Sequence, residues 1–291
     1  MKIIKYFIQA LFIYIFFLII KVIGLKNSRK LFSLIFNLIG PLVRKQALIY
    51  SNLKRLNSNF SDQDLKRISK KMWSNYGKTF VEYLYLKNFR LKNFHIPQVK
   101  IIGENILEEI IKKNKPVIFV SGHFANFELM SMELTRKNIK LATIYRPLNN
   151  FFINPIMEHL REKYVCKNQI QKGSKGIRSI IDYLNKNHSL ALMIDQRVSQ
   201  GEKIPFFNSD ALTTTLPAQI ALKYKYDIFP IYIRRTSKDL FEIEIFKSIE
   251  IENAEDNKIN KIKITKKLNE VIEKMIIRDP EQWIWSHNRW K

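Results

Sequence analysis

The sequence predicts an α/β fold: a mostly parallel central sheet flanked by helices, with an N-terminal transmembrane or membrane-anchoring helix. Three observations carry this. From residue 98 on, short β-rich runs alternate with longer amphipathic runs, the pattern of stacked strand–helix units. The run "PVIFVS" (116–121) is apolar throughout, as a strand covered on both faces must be. The chain also opens on "MKIIKYFIQALFIYIFFLIIKVIGL", in which Gln9 is the one strongly polar residue between Tyr6 and Ile20.

The opening segment sets the first boundary, an anchor over 1–25. Ile3–Leu25 supplies 23 residues. At about 1.5 Å per residue they reach roughly 35 Å, enough to cross a bilayer core with some tilt while Lys5 and Lys21 snorkel. "KVIGLKNS" lacks the small-residue cleavage pattern of a signal peptide. Lys21, Lys26, Arg29, Lys30, Arg44 and Lys45 outweigh Lys2 and Lys5, which places the body on the cytoplasmic side. Residues 26–95 read as a helical, membrane-proximal region. Within it "LFSLIFNLIGPLV" (31–43) is too short to span and is interrupted by Gly40-Pro41, so it is expected on the body or on the membrane surface.

The core is expected over 96–291. Its strands are predicted at 98–103, 116–121, 140–145, 190–195, 227–233 and 240–246. Its helices are predicted near 104–113, 126–136, 151–164, 174–186, 214–224 and 259–277. Pro217 shortly after Thr215 suits a helix start.

Composition narrows the function classes. The formal charge is +24, from 50 Lys and Arg against 26 Asp and Glu, and such an excess attracts polyanions or an acidic partner. The abundance of Lys, Ile, Asn, Phe and Tyr, all with A/T-rich codons, accounts for part of it. The basic residues are spread along the chain and no nucleic-acid-binding motif appears, so no nucleic acid is expected. The single cysteine, Cys166, excludes an internal disulfide and a multi-thiolate metal site.

One pair stands at a chemically useful place. In "VSGHFANFELM" (120–130), His123 follows a strand and Glu128 opens the next helix. The spacing alone is weak, since about 0.4 His-x4-Asp/Glu matches arise by chance in a chain of this composition. The location says more, because ligands of open α/β sheets bind beyond the carboxyl ends of strands. On one continuous helix the two side chains would point about 140° apart; with His123 in the turn, Glu128 can reach the imidazole and orient it. Amides at the helix start are candidates for holding an oxyanion. There is no G-x-S-x-G nucleophile, so the histidine would act as general base on a substrate alcohol. A hydrogen-bonded structural histidine is the alternative.

Taken together, the apolar N-terminus, "GHFANFE" (122–128), "YRPLNN" (145–150), "DQRVSQGEKIPFFN" with "ALTTTLPAQIAL" (195–222) and "RDPEQWIWSHNRWK" (278–291) resemble the lipid A late acyltransferases, within the H-x4-D/E glycerolipid acyltransferases. The resemblance covers nearly the whole chain. It implies catalytic roles for His123 and Glu128 and functional roles for Arg161 in "MEHLREKY" and for Asp195. It also suggests phosphate or oxyanion contacts by Arg146, Lys172 and Arg197. Each has an ordinary alternative: a loop ion pair for Arg146, a cap or turn for Asp195, solvated charges for Arg161 and Lys172. Trp283, Trp285 and Trp290 with Arg289 read as a packed terminal lid, with an interfacial belt as the alternative, and His287 as a satisfied buried histidine, with phosphate binding as the alternative. The implied reaction moves an acyl group from acyl carrier protein, an acidic donor, to a hydroxyl of a phosphorylated glycolipid in the inner membrane. It uses no metal and no cofactor. A lysophospholipid, glycolipid or amino-acid lipid acceptor, or a membrane-tethered polyanion binder without catalysis, are the competing readings.

Overall fold

A computed structural model describes residues 2–92, 99–238, 240–251 and 257–291, with the backbone alone at 174 and 175. The expected boundary between 95 and 96 lies outside the described residues. In chain order the elements are α1 (Lys2–Val43), α2 (Gln46–Leu56), α3 (Asp62–Glu82), α4 (Leu86–Arg90), β1 (Val99–Ile102), α5 (Glu104–Lys113), β2 (Ile118–Ser121), α6 (Glu128–Arg136), β3 (Leu141–Tyr145), α7 (Asn154–Tyr164), β4 (Asn168–Gln171), α8 (Ser174–Asn185), β5 (Ser189–Met193), β6 (Glu202–Phe206), β7 (Ser209–Thr213), α9 (Leu216–Tyr224), β8 (Ile228–Arg235), β9 (Phe241–Ile245) and α10 (Asn257–Arg278).

The main sheet runs β1-β9-β8-β2-β5-β3-β4. All neighbours pair in parallel except β8 and β9. The predicted fold class is therefore what the chain adopts, with one antiparallel pair. Strand β2 lies centrally and every residue of it is buried, which accounts for its unbroken apolar run. Two features escape the sequence pattern. Strand β4 is the short polar run "NQIQ" at the sheet edge. Strands β6 and β7 form a separate hairpin closed by Phe207 and Asn208, both at positive φ, and a phenylalanine there gives no turn signal.

The N-terminal region holds a bend that the hydropathy pattern does not mark. Gly24 has φ 76° and ψ 169°, a conformation that favours glycine, and it folds α1 back on itself. Ser28 Oγ donates to the Ile20 carbonyl, and the Phe16 and Phe32 rings meet edge-on with centroids 5.3 Å apart. The arms 2–23 and 25–43 thus form a bent pair. The second arm rests on α3, with Phe80 touching Phe17, Phe32 and Phe36. Helix α3 begins at a reciprocal cap in which Ser61 Oγ accepts from the Asp64 amide and donates to the Asp64 carboxylate. Near its end, buried Glu82 joins three layers: it pairs with Arg29 of α1 and Arg235 of β8, and accepts from Asn126. Burial works against the Glu82 charge, but the two guanidiniums hold its carboxyl below the usual range.

Candidate active site

The site grows from the register of the parallel strands. In β2 and β5, Ser121 lies opposite Met193. Two residues further along each strand's exit stand His123 and Asp195, the register partners just beyond the carboxyl edge. The next strands repeat the arrangement. Tyr145 of β3 faces Gln171 of β4, so Arg146 and Lys172 leave the sheet side by side. Burial, and then the neighbouring Arg146 charge, push the Lys172 ammonium below its ordinary value.

Asp195 is the carboxylate on the His123 ring. Its Oδ1 lies 2.8 Å from Nδ1, and its Oδ2 accepts both the His123 backbone N–H and the Trp283 indole N–H, each at 2.8 Å. With 1% of its surface exposed, Asp195 is desolvated, which alone would raise its pKa. The His123 charge and these donors more than offset the burial and leave the carboxyl below its usual range. Gly122 permits the approach: a Cβ there would sit 3.2 Å from the Asp195 Cβ and 2.8 Å from the Phe124 ring. Phe127 packs edge-on against the imidazole, centroids 4.8 Å apart. In the neutral tautomer that donates Nδ1–H to Asp195, Nε2 carries the lone pair. The His123 side chain keeps 22% of its surface exposed, and no described residue bonds Nε2. A ring held in this way is ready to take a proton from outside.

Glu128 does not orient the imidazole, and this corrects the reading from spacing. Ala125, at φ 42°, turns the chain before α6, and Glu128 is the first residue of that helix. Its Oε1 instead accepts from Tyr83 Oη at 2.6 Å and Arg161 Nε at 2.8 Å. Arg161 also donates to Tyr83 Oη at 3.1 Å, and its guanidinium lies over the Tyr83 and Tyr145 rings. Burial disfavours the Arg161 charge, but Glu128 beside it raises its pKa above the ordinary value, and desolvation raises that of Tyr83. Arg161 is thus no solvated helix-face charge.

The remaining expectations divide. Arg197 is committed to the C-terminal tail: its amide donates to His287 Nε2 at 3.0 Å and its Nε to the Lys291 carbonyl at 3.1 Å. His287 is the satisfied histidine expected, and burial pulls its pKa down to about 4. Trp283 and Trp285 are buried and pack edge-on at 4.7 Å, so the tail is a packed lid. The amides of Phe124 and Ala125 bond Gly122 and Gln282 carbonyls and are not open to an oxyanion. Two site residues were not anticipated. Tyr83 sits in "VEYLYL" among similar residues, with no local cue. Trp283 was visible only as part of an aromatic tail.

Fold and site together define an α/β protein with a histidine–aspartate centre at the carboxyl edge of its sheet, set beside an apolar bent helix. The chain belongs to the bacterial lipid A biosynthesis acyltransferases, whose family pattern it matches over residues 1–291. It is similar to a lipid A biosynthesis palmitoleoyltransferase of Escherichia coli (strain K12), 26% identical over 195 residues, or 65% of this chain and 60% of that protein. A lipid A biosynthesis acyltransferase 2 of Shigella flexneri is 25% identical over 190 residues, or 63% of this chain and 58% of that protein. The matched stretch therefore spans about three-fifths of these relatives' own lengths.

Proposed function

We propose that the protein moves a fatty acyl group from an acyl carrier protein thioester to a hydroxyl of a lipid A precursor in the inner membrane, with its body on the cytoplasmic face. His123 Nε2 takes the proton of the acceptor alcohol as its oxygen attacks the thioester carbonyl. Asp195 fixes the tautomer and stabilises the imidazolium that forms. Collapse of the tetrahedral intermediate expels the thiolate, which receives the proton from His123. Glu128 acts by holding Arg161 and Tyr83 in place, and α6 brings the positive end of its dipole towards the developing oxyanion. Arg146 and Lys172, paired past β3 and β4, suit the acceptor's phosphate. The charge of +24 suits the acidic donor.

The observation that carries this reading is the His123 ring anchored at Nδ1 by a buried carboxylate, with no described residue bonded to its other nitrogen. Family membership supplies the class of substrate. The test is His123→Ala, assayed with acyl carrier thioester and lipid A precursor in membranes. General-base loss is expected to cost about 10²–10⁴-fold in turnover. Near-wild-type turnover would reject the base. Mass spectrometry of the product separates acceptors: acylation of a lysophospholipid or an amino-acid lipid in preference to the precursor would keep the mechanism and change the substrate.

A further inference from the structure

We infer that α1 lies flat in one leaflet instead of crossing the bilayer, so that this protein holds the membrane from a single side. The length and apolarity of the first arm permit a span, but its packing does not. Asn150 Nδ2 donates to the Tyr6 carbonyl at 2.8 Å, and Tyr14 Oη to the Phe152 carbonyl at 2.7 Å. Tyr6 and Phe7 meet Phe151 and Phe152 edge-on, and Ala10 is buried against Ile153 and Met157. Further along, Tyr85 Oη donates to the Ile20 carbonyl. From Tyr6 to Ile20 is about 21 Å of helix. Along that length one stripe of the arm, at Tyr6, Phe7, Ala10, Tyr14 and Ile20, is held against the body.

A helix crossing the bilayer would therefore carry that flank of the body into hydrocarbon. The flank is polar: Arg146 and Asn149 are exposed just before the Asn150 contact, and α7, which supplies Met157, exposes His159, Glu162 and Lys163. Unpaired charges at that depth are strongly disfavoured. Insertion of the bent pair tip-first fails for the same reason, because Lys21, Lys26 and Lys30 are exposed around Gly24.

The in-plane arrangement satisfies every group. Ile4, Leu11 and Leu18, seven residues apart and so on one face, are 64, 51 and 67% exposed, and in the second arm Leu34, Leu38 and Leu42 are 63, 74 and 85% exposed. Interfacial helices usually carry a polar face. Here the body covers that side, which explains an arm that is apolar nearly all round. Exposed Leu148 and Phe151 extend the same greasy surface, and Lys2, Lys5, Lys21, Lys26 and Lys30 are placed to meet anionic headgroups. The occupant of this surface is one leaflet of a bilayer. Tyr83, the partner of Glu128, packs on the same Ala10, Ile153 and Met157 cluster as Ile13 of the first arm, so the site opens beside the lipid.

The test uses the full chain in bilayers and reads geometry, not activity, so its outcome is independent of the acyl-transfer proposal. Ile4→Cys, Leu11→Cys and Leu18→Cys are labelled one at a time with an environment-sensitive fluorophore, and depth is measured by lipid-borne quenchers; Cys166 is buried. In-plane insertion puts the three labels at one depth, within a few ångström. A span puts Leu11 deeper than both others by about 10 Å, the rise of seven residues, and overturns the inference. In sealed vesicles, Lys2→Cys should react with an impermeant maleimide from the same side as Lys186→Cys. Reaction only from the opposite side would overturn it as well.

Discussion

Asp195 and Glu128 both border the 122–128 loop, yet one holds the His123 ring while the other holds a guanidinium and a phenol. The difference comes from how each arrives. Asp195 leaves β5 in register with His123 on the neighbouring strand, so sheet hydrogen bonding itself sets their separation. Glu128 starts α6 after a left-handed turn at Ala125 and faces Tyr83, just past α3, and Arg161 of α7. Sequence proximity thus gave Glu128 a histidine four residues of loop away, and topology gave that histidine a carboxylate 72 positions on. In the proposed reaction one carboxylate tunes the base and the other fixes the wall of the site.

This contrast can be broken by exchanging each acid for its amide. Asp195→Asn keeps the volume and the Trp283 contact but no longer favours the tautomer with Nε2 free. Turnover should fall about 10³–10⁴-fold with the fold intact, as for an amide at the same place in other histidine–aspartate pairs. Steady-state kinetics beside a circular dichroism spectrum check this; a loss smaller than that of Glu128→Gln would reverse the roles assigned. Glu128→Gln should act first on stability. It leaves Arg161, 13% exposed, without its counter-charge, and breaking such a pair costs about 3 kcal/mol or more. Denaturant unfolding in detergent should show that loss, with turnover reduced less than in Asp195→Asn. An unchanged midpoint would mean that Tyr83 and the rings of Tyr83 and Tyr145 suffice to hold the arginine.

What was legible in the sequence follows the same division between local and remote. Strand β2, its all-apolar run and the histidine just beyond it were readable because burial on two faces leaves a continuous signal. Asp195 was likewise readable as a strand-end residue of "LALMID". That β5 lies against β2, with β3 and β4 placed outside them, is a matter of chain topology, and no local pattern announces it. The Gly24 bend was hidden because one glycine in a long apolar run disturbs neither hydropathy nor periodicity. Glu82 looked like one more acidic residue on a helix, although it is buried between Arg29 and Arg235, each supplied by a distant segment. The reading of His123 with Glu128 failed at a point where backbone conformation decided, since one residue at positive φ turned the second carboxylate elsewhere.

The C-terminal lid sharpens the comparison at the smallest scale, through His287 behind Asp195. Its folded pKa is about 4 against an ordinary 6.5, burial being the main cause. Between those values the unfolded chain binds a proton that the folded chain refuses, so stability rises with pH across the window and is lost as pH falls through it. Asp195 behaves differently: its lowered pKa adds stability that persists until pH drops below the ordinary carboxylate range near 3.8. The two groups therefore act in separate windows. His287→Gln retains an acceptor for the Arg197 amide and removes the titration. Denaturation midpoints measured from pH 6.5 to 4 should decline less steeply in this variant, by at most one proton's worth of slope because the ring is partly solvated. Equal slopes would show that the tail admits the charged ring by opening, and that the lid over Asp195 is looser than its packed tryptophans imply.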